Sequence, residues 1–275
     1  ANPDVDAKTH AKITTGKADN KCGISFTRAS QVYARATALP GLDVAGIDMH
    51  IGSQITDIEP FEQAFRLMAE LATRLKSEGH NIRHLDLGGG LGVPYRGTND
   101  VPPHPDEYAA MVKRTLGHLG LKYVLEPGRM IAGNAGILVS RVIYVKENDG
   151  NYFVIQDAAM NDLIRPTLYD AYHEIIPVKK PADKASEITA DVVGPVCETG
   201  DYIAKARRLP KPDPGDLLAT MTAGAYGAVQ SGTYNTRPLV AEVLVKGSTW
   251  SLVRPRQTYE DLHGLDRLAL WQTKS

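Results

Sequence analysis

The sequence predicts an α/β fold in two parts: part of a TIM-like (β/α)8 barrel over residues 1–130, then a C-terminal antiparallel β domain, sandwich-like or barrel-like, over residues 131–275. Two observations predict it. Before residue 130, apolar runs alternate with amphipathic segments, the pattern of parallel strands joined by crossover helices. After residue 130, short β-rich runs are separated by turn residues.

The best-defined helix of the first part is predicted at residues 60–76. Its apolar residues recur on one face, Pro60 stands in the first turn and Gly79 follows the end, so both helix-end signals are present. Further helices are predicted at residues 28–39 and 106–119. Strands are predicted at residues 42–51, 84–87 and 122–125, with residues 1–7, ANPDVDA, as the end of a fourth.

The second part is predicted to consist of strands. Its β-rich runs lie at residues 137–146, 152–155, 188–193, 217–221, 239–245 and 250–253. The strands of the first part are too few for a barrel, which needs eight strands and about 250 residues. We therefore expect the N-terminal half of the barrel to be missing from this sequence.

Composition excludes several classes of function. The 275 residues are 43% hydrophobic and carry a net charge of −1, which is typical of a soluble protein and predicts no binding to nucleic acid or to an anionic membrane. No apolar run approaches the roughly 20 residues of a membrane span, and the first residues do not resemble a signal peptide, so a cytoplasmic location is expected. Cys22 and Cys197 cannot form a disulfide framework, and no spacing predicts a metal site.

Three polar clusters each follow a predicted strand: HIGSQ at residues 50–54, GGG at 88–90 and EPGR at 126–129. In an α/β barrel the C-terminal ends of the strands carry the chemistry. Taken singly, each cluster has a structural interpretation: His50 as a hydrogen-bonded core residue, the glycines as a tight turn, and Glu126 as the ion-pair partner of Arg129. Their combination at one edge favours a functional site.

The glycine run does not match nucleotide-binding motifs. A dinucleotide fingerprint counted from Gly88 needs glycine where Val93 stands, and the Gly16, Lys17 pair lacks the flanking residues of a Walker A loop. The edge suits a phosphorylated heterocycle, with glycine N–H groups and Arg129 near the phosphate, Glu126 at a ring nitrogen and His50 against the ring. Pyridoxal 5'-phosphate fits this description.

These clusters belong to a longer ordered set of motifs. HIGSQ, LDLGGGLG and EPGR are followed by NDLIRPTLYDAYHE, GPVCETGD and AGAYGAVQSGTYN. The set resembles the diaminopimelate decarboxylases, within the fold-type-III, alanine-racemase-like decarboxylases that use pyridoxal phosphate, and the resemblance spans nearly the whole chain. It implies decarboxylation of meso-2,6-diaminopimelate to L-lysine and CO2, in lysine biosynthesis, by a homodimer whose active sites are shared between subunits.

The resemblance also implies a role for each matched residue. Arg129, Arg165 and Tyr169 would hold the substrate carboxylate, and Glu198 the amino group at the non-reacting end. Cys197 would donate a proton in the active site of the other subunit, and His50 would stack on the cofactor ring. Tyr226 would contact both ligands. The implied cofactor-binding residues are His50, Ser53, Gly88, Gly89, Gly90, Glu126, Pro127, Gly128, Arg129 and Tyr226.

The sequence departs from the family pattern in small ways and in one large way. Cys22 and Thr199 replace a more usual phenylalanine and serine. The large departure is that the lysine to which the family attaches its cofactor, in a KAN-like motif, has no counterpart. The lysines near the N-terminus, Lys8, Lys12, Lys17 and Lys21, lie in the wrong context to replace it.

Two alternatives stay open at this stage. Within the same fold, the chain could belong to a decarboxylase for ornithine, arginine or carboxynorspermidine, although a substrate without a distal carboxylate does not need Arg165. In another class, it could be a non-catalytic homologue that acts as a partner subunit. The presence of Cys197, Glu126, Arg129 and Arg165 argues for an enzyme.

Overall fold

The structure is a computed structural model that describes residues 1–10, 12–16, 21–96, 101–182 and 185–272. The chain divides into two units, Ala1–Gly136 and Ile137–Ser275, close to the predicted change of pattern at residue 130. Lys17, considered above, lies outside the described residues. No helix within the described ranges is both long enough and apolar enough to cross a membrane.

The first unit alternates helices and strands, as predicted. Its elements are α1 (Ala29–Thr37), β1 (Gly46–Asp48), α2 (Glu59–Ser77), β2 (His84–Asp86), α3 (Pro105–Leu116), β3 (Lys122–Val124) and α4 (Gly128–Ala132). The three strands form a parallel sheet in the order β1-β2-β3, with Asp48 paired to Asp86 and Asp86 to Val124. Because all three strands run in one direction, their C-terminal ends meet at one edge of the sheet.

The apolar face of α2 builds the core of the first unit. Phe61, Phe65, Met68, Leu71 and Leu75 are fully buried. Tyr108 of α3 meets two of these rings edge-on: the ring centroids are 5.2 Å apart for Phe61 and 6.0 Å for Phe65. Burial raises the pKa of Tyr108 because its ionised form would lose solvation. The predicted helical period therefore sets which side of α2 faces the sheet.

The strand predicted at residues 1–7 is wrong. Within the described residues of this segment, Asn2 forms only an isolated bridge with Ser25. Pro3 has no N–H to contribute to a ladder, and Asp4 has a left-handed backbone with φ of 57°. The sequence predicted the end of a strand here, but the backbone at positions 3 and 4 does not form a ladder.

The second unit is built mainly of strands. Its elements are β4 (Leu138–Asn148), β5 (Asn151–Gln156), α5 (Arg165–Tyr169), β6 (Ile175–Pro177), β7 (Glu187–Val193), β8 (Tyr202–Pro210), β9 (Leu217–Thr220), β10 (Glu242–Lys246), β11 (Thr249–Arg254) and α6 (Tyr259–His263). Six strands form a sheet in the order β6-β9-β4-β5-β7-β8, and β10 pairs with β11 separately.

Among the described residues of the second unit, the predicted antiparallel arrangement holds for every strand pair except one: β5 and β7 are parallel. All six predicted runs overlap a strand of the structure, but β6 and β8 were not predicted. β8 reads YIAKARRLP, and its basic residues obscure the apolar alternation that marks a strand. It is stabilised by pairing with β7, which a local pattern does not reveal.

Candidate functional site

The loops that follow β1, β2 and β3 bring together three of the predicted clusters. The N–H of Met49 donates to Asp86 O at 3.2 Å, and the N–H of Glu126 donates to Gly88 O at 2.9 Å. These bonds continue the sheet beyond its last paired residues. The imidazole of His50, the glycine run and the carboxylate of Glu126 therefore lie at one edge, as the sequence predicted.

The three glycines are required because neighbouring backbones approach them closely. A Cβ atom at Gly88, Gly89 or Gly90 would overlap the carbonyl oxygen of Met49, Glu126 or Gly52, respectively. Gly88 and Gly90 also have φ of 65° and 96°, which other residues rarely adopt. The GGG run thus allows the loops after β1 and β3 to pack against the loop after β2.

Two of the glycine N–H groups have protein partners. Gly88 donates to Asp86 Oδ1 at 2.9 Å, and Gly89 donates to His50 Nδ1 at 3.2 Å. Since Nδ1 of His50 accepts a hydrogen bond, the neutral ring carries its proton on Nε2. The glycine run thereby fixes both the tautomer and the orientation of His50. Binding of a phosphate by the glycines stays a prediction.

Negative charge is concentrated at the same edge. Asp48, Asp86 and Glu126 each present a carboxylate oxygen, and these oxygens lie within 4.8 Å of one another. Asp48 and Asp86 end β1 and β2, and Glu126 follows β3 two residues after its end. Such a group of carboxylates attracts a cation, and a protonated ring nitrogen is one.

Arg129 lies on α4, which begins at Gly128 directly after Pro127. Its guanidinium is buried, donates from Nη1 to Tyr95 Oη, and lies 5.8 Å from the centre of the Tyr95 ring. The predicted ion pair between Glu126 and Arg129 is not among the salt bridges of the described residues, and Tyr95 is one of the groups that contact this cation. Sequence reasoning did not identify Tyr95, because it belongs to none of the quoted motifs.

A cavity of about 530 Å³ adjoins the glycine run. Its walls include Gly88, Gly89, Tyr108, Val112, Leu125 and Met130. The volume is in the range of small-molecule sites, but most of the wall is apolar. The polar groups that a phosphate needs are not supplied by most of this wall, whereas the loops at the strand ends carry such groups.

In the second unit, Arg165 begins α5 and is buried. Its Nη1 lies 2.7 Å from Nε2 of His173, which is fully buried, and Nδ1 of His173 lies 2.9 Å from the Met221 carbonyl oxygen. A carbonyl oxygen only accepts, so Nδ1 carries the proton and Nε2 accepts from Arg165. A neutral His173 therefore holds the guanidinium in place.

The GPVCETGD loop presents Cys197 and Glu198, both exposed. Buried Asp201 fixes this loop: its carboxylate accepts from the N–H of Val196 and from the N–H of Met160, each at 2.7 Å. A Cβ at Gly194 would overlap the same carboxylate. Burial raises the pKa of Asp201, and the two N–H bonds oppose that rise.

The remaining predicted residues lie on loops or helix ends. Ser53 follows β1, and its N–H donates to Ile13 O at 3.2 Å. Tyr169 ends α5, and its hydroxyl accepts from Gln230 Nε2 at 3.4 Å. Tyr226 has a left-handed backbone with φ of 58° and is 41% exposed. Within the second unit, Tyr169 is thus linked to the 223–235 motif.

A family model described as pyridoxal-dependent decarboxylase, C-terminal sheet domain, matches residues 18–224. The chain belongs to the pyridoxal-dependent decarboxylase family. It is 50% identical to a diaminopimelate decarboxylase of Zymomonas mobilis over 98% of its length, and 53% identical to one of Vibrio cholerae over 96%. It spans 63% of the length of each of these relatives.

A solved member of this family gives the same result for the fold. The crystal structure of diaminopimelate decarboxylase from Helicobacter pylori complexed with L-lysine matches with a TM-score of 0.90 and 38% identity. The match covers 96% of this chain and 65% of that one. The resemblance stated from the motifs is confirmed.

Several residues that shape the decarboxylase motifs lie within those motifs but were not predicted from the sequence to have a role. His173 stands in NDLIRPTLYDAYHE, Asp201 ends GPVCETGD, and Tyr234 lies in AGAYGAVQSGTYN. The resemblance to the family implies roles only for residues that would contact the cofactor or the substrate. These three act on other protein groups, and only their contacts reveal them.

Proposed function

We propose that this chain is part of a pyridoxal-phosphate-dependent carboxy-lyase that converts meso-2,6-diaminopimelate to L-lysine and CO2. The two bacterial relatives are named diaminopimelate decarboxylase, and they match nearly the whole of this chain. Because the chain spans 63% of their length, the activity is proposed for a protein of their size. The observation that carries the choice of substrate is Arg165, a guanidinium held in place by His173.

The residues of the first unit fit the cofactor. Glu126, supported by the charge of Asp48 and Asp86, would hold a protonated ring nitrogen, and His50 would lie against the ring with Nδ1 fixed by Gly89. Ser53, Gly90, the Pro127 to Arg129 turn and Tyr226 would bind the phosphate. When bound, pyridoxal phosphate supplies an electron sink for the electron pair left as the carboxylate departs.

The residues of the second unit fit the substrate. Arg165 would bind the carboxylate that the product retains, with Tyr169 and Arg129 assisting, and a guanidinium suits it because its fork of donors matches a carboxylate. Glu198 would bind the ammonium at the same end. Cys197 would return a proton to the carbon that has lost CO2.

The proposal extends to the architecture. The three parallel strands of the first unit are proposed as part of the (β/α)8 barrel, since their C-terminal ends carry the polar residues. The second unit is proposed as the β domain that follows it. We also propose a homodimer in which subunits share active sites.

Decarboxylation by the full-length protein tests the proposal. Purified enzyme with added pyridoxal phosphate is given meso-diaminopimelate, ornithine or arginine, and CO2 release is measured. We expect rapid release from diaminopimelate, with L-lysine formed in equal amount, and little from the other two. Cofactor binding without release from diaminopimelate would reject the substrate, and preferential turnover of ornithine would favour the related decarboxylases.

A further inference from the structure

Glu198 is held by a tyrosine to which no role has been given. The hydroxyl of Tyr234 donates to Glu198 Oε2 at 2.6 Å. This bond raises the pKa of Tyr234, since ionisation would place two negative charges side by side. Tyr234 is therefore a donor at neutral pH, and its bond fixes one oxygen of the carboxylate.

The second oxygen of Glu198 has a defined place as well. Oε1 would lie 3.1 Å from a Cβ atom at position 200, which is glycine. A side chain at that position would crowd the carboxylate. Tyr234 thus holds Oε2 of Glu198, and the absence of a side chain at Gly200 leaves room beside Oε1 for a further donor.

The segment that carries Tyr234 is anchored to a buried asparagine. Asn161 Nδ2 donates to Gly232 O at 3.2 Å, and the Gly232 N–H donates to Asn161 O at 2.9 Å. Arg237 Nε donates to Asn161 Oδ1 at 2.8 Å. Asn161 therefore anchors residues on both sides of Tyr234, while the tyrosine side chain itself is 51% exposed and is held by its bond to Glu198.

The backbone next to Tyr234 is unusual. Asn235 and Thr236 both have left-handed conformations, with φ of 57° and 55°. Asparagine tolerates this region, but a β-branched threonine adopts it rarely and only where its surroundings enforce it. The strained residues directly follow Tyr234 in the chain, and strained backbone is often found at functional sites.

We propose that Tyr234 is a specificity-determining positioning residue, whose hydroxyl holds the Glu198 carboxylate ready for the distal ammonium group of a diamino dicarboxylic acid. The inference rests on the proposed function and deepens it. A substrate without the distal amino group would gain nothing from this arrangement. The hydroxyl of Tyr234 is thus expected to affect one substrate and not its deamino analogue.

The test compares Tyr234→Phe with Tyr259→Phe in the full-length holoenzyme. Tyr259 is an exposed tyrosine on α6 of the same unit and serves as the matched control. Substrates are meso-diaminopimelate and 2-aminopimelate, which lacks the distal amino group. For Tyr234→Phe we expect kcat/KM on diaminopimelate to fall about tenfold, mainly through KM, because one hydrogen bond to a charged group is lost. Activity on 2-aminopimelate should not change.

Binding of L-lysine, measured by calorimetry, gives a readout without turnover. The product keeps the ammonium group that Glu198 would bind, so its Kd should rise by a similar factor. In a double-mutant cycle with Glu198→Gln, the two losses should be strongly non-additive. Equal loss on both substrates, an unchanged Kd for lysine, or additive effects would overturn the inference. Failure of the wild-type enzyme to decarboxylate diaminopimelate would instead reject the proposed function.

Discussion

At the scale of single residues, the structure gives a reason for motifs that the sequence only displays. The GGG run is recognisable in the sequence as a special feature, and its glycines are compatible with both a tight turn and a ligand loop. Its steric cause, the close approach of Met49, Glu126 and Gly52, depends on where β1 and β3 end. Such contacts join positions far apart in sequence, so no local pattern could contain them.

His173 is the residue whose effect on Arg165 is most direct. Replacing it with leucine removes one acceptor of the buried Arg165 guanidinium. We expect His173→Leu to raise KM for diaminopimelate about tenfold or more and to lower the free energy of unfolding by about 1–3 kcal/mol. Steady-state kinetics and urea unfolding measure the two effects separately.

His173→Gln is the matched variant, because its amide oxygen can accept from Arg165. We expect it to recover part of the KM loss. If glutamine and leucine raise KM equally while the free energies of unfolding differ, His173 serves only the fold. An unchanged KM in both variants would show that Arg165 does not need this support.

At the scale of elements, prediction succeeded where the apolar period was strong. The helix predicted at residues 60–76 is α2, and six strand runs of the second unit were found. It failed for β8, whose basic residues obscure the period, and for residues 1–7, where the backbone at Pro3 and Asp4 prevents a ladder. The short helix α5, which begins at Arg165, and the loop that carries Cys197 show no apolar period, so only their motifs identified them.

The conformation of the loop that carries Cys197 depends on its bonds to Asp201. We expect the contribution of Asp201 to the free energy of unfolding to vary with pH. The pKa of Asp201 is raised in the folded protein, so the folded state binds a proton more readily than the unfolded state. The stabilisation that comes from this raised pKa is fully present below the pKa of Asp201 in the unfolded chain. It is lost as the pH rises through the pKa of Asp201 in the folded protein. For Asp201→Asn, which does not titrate and can accept only one of the two N–H bonds, we expect a loss of about 1–3 kcal/mol.

The size of that loss should depend on pH. Because wild-type stability falls as the pH rises through the folded pKa, the difference between wild type and Asp201→Asn should be smaller at pH ~7.5 than at pH ~4.5. Urea unfolding at both values measures it. Asp261→Asn is the control: a bond from the Thr258 N–H lowers the pKa of Asp261, so its contribution should be constant across this range. A difference for Asp201 that grows with pH would contradict the argument.

At the scale of the whole molecule, the sequence established the family but not the arrangement of the complete enzyme. Ordered motifs over nearly the whole chain were sufficient to identify the family, and the relatives confirm that identification. The barrel and the dimer depend on contacts beyond one chain of this length, which spans 63% of its relatives. The complete barrel and the homodimer both remain predictions, and the homodimer with shared active sites has a direct test.

Complementation between two inactive variants tests whether subunits share active sites. Glu126→Ala removes a cofactor residue of the first unit, and Cys197→Ala removes the proton donor of the second. Each full-length variant alone should lose nearly all activity. If each site combines Glu126 of one chain with Cys197 of the other, a mixed dimer contains one site with both lesions and one with none. Randomly re-paired subunits should then recover about a quarter of the wild-type activity, because about half of the dimers are mixed. If both residues of a site come from one chain, the mixture should stay as inactive as its components, and the shared-site proposal would fail.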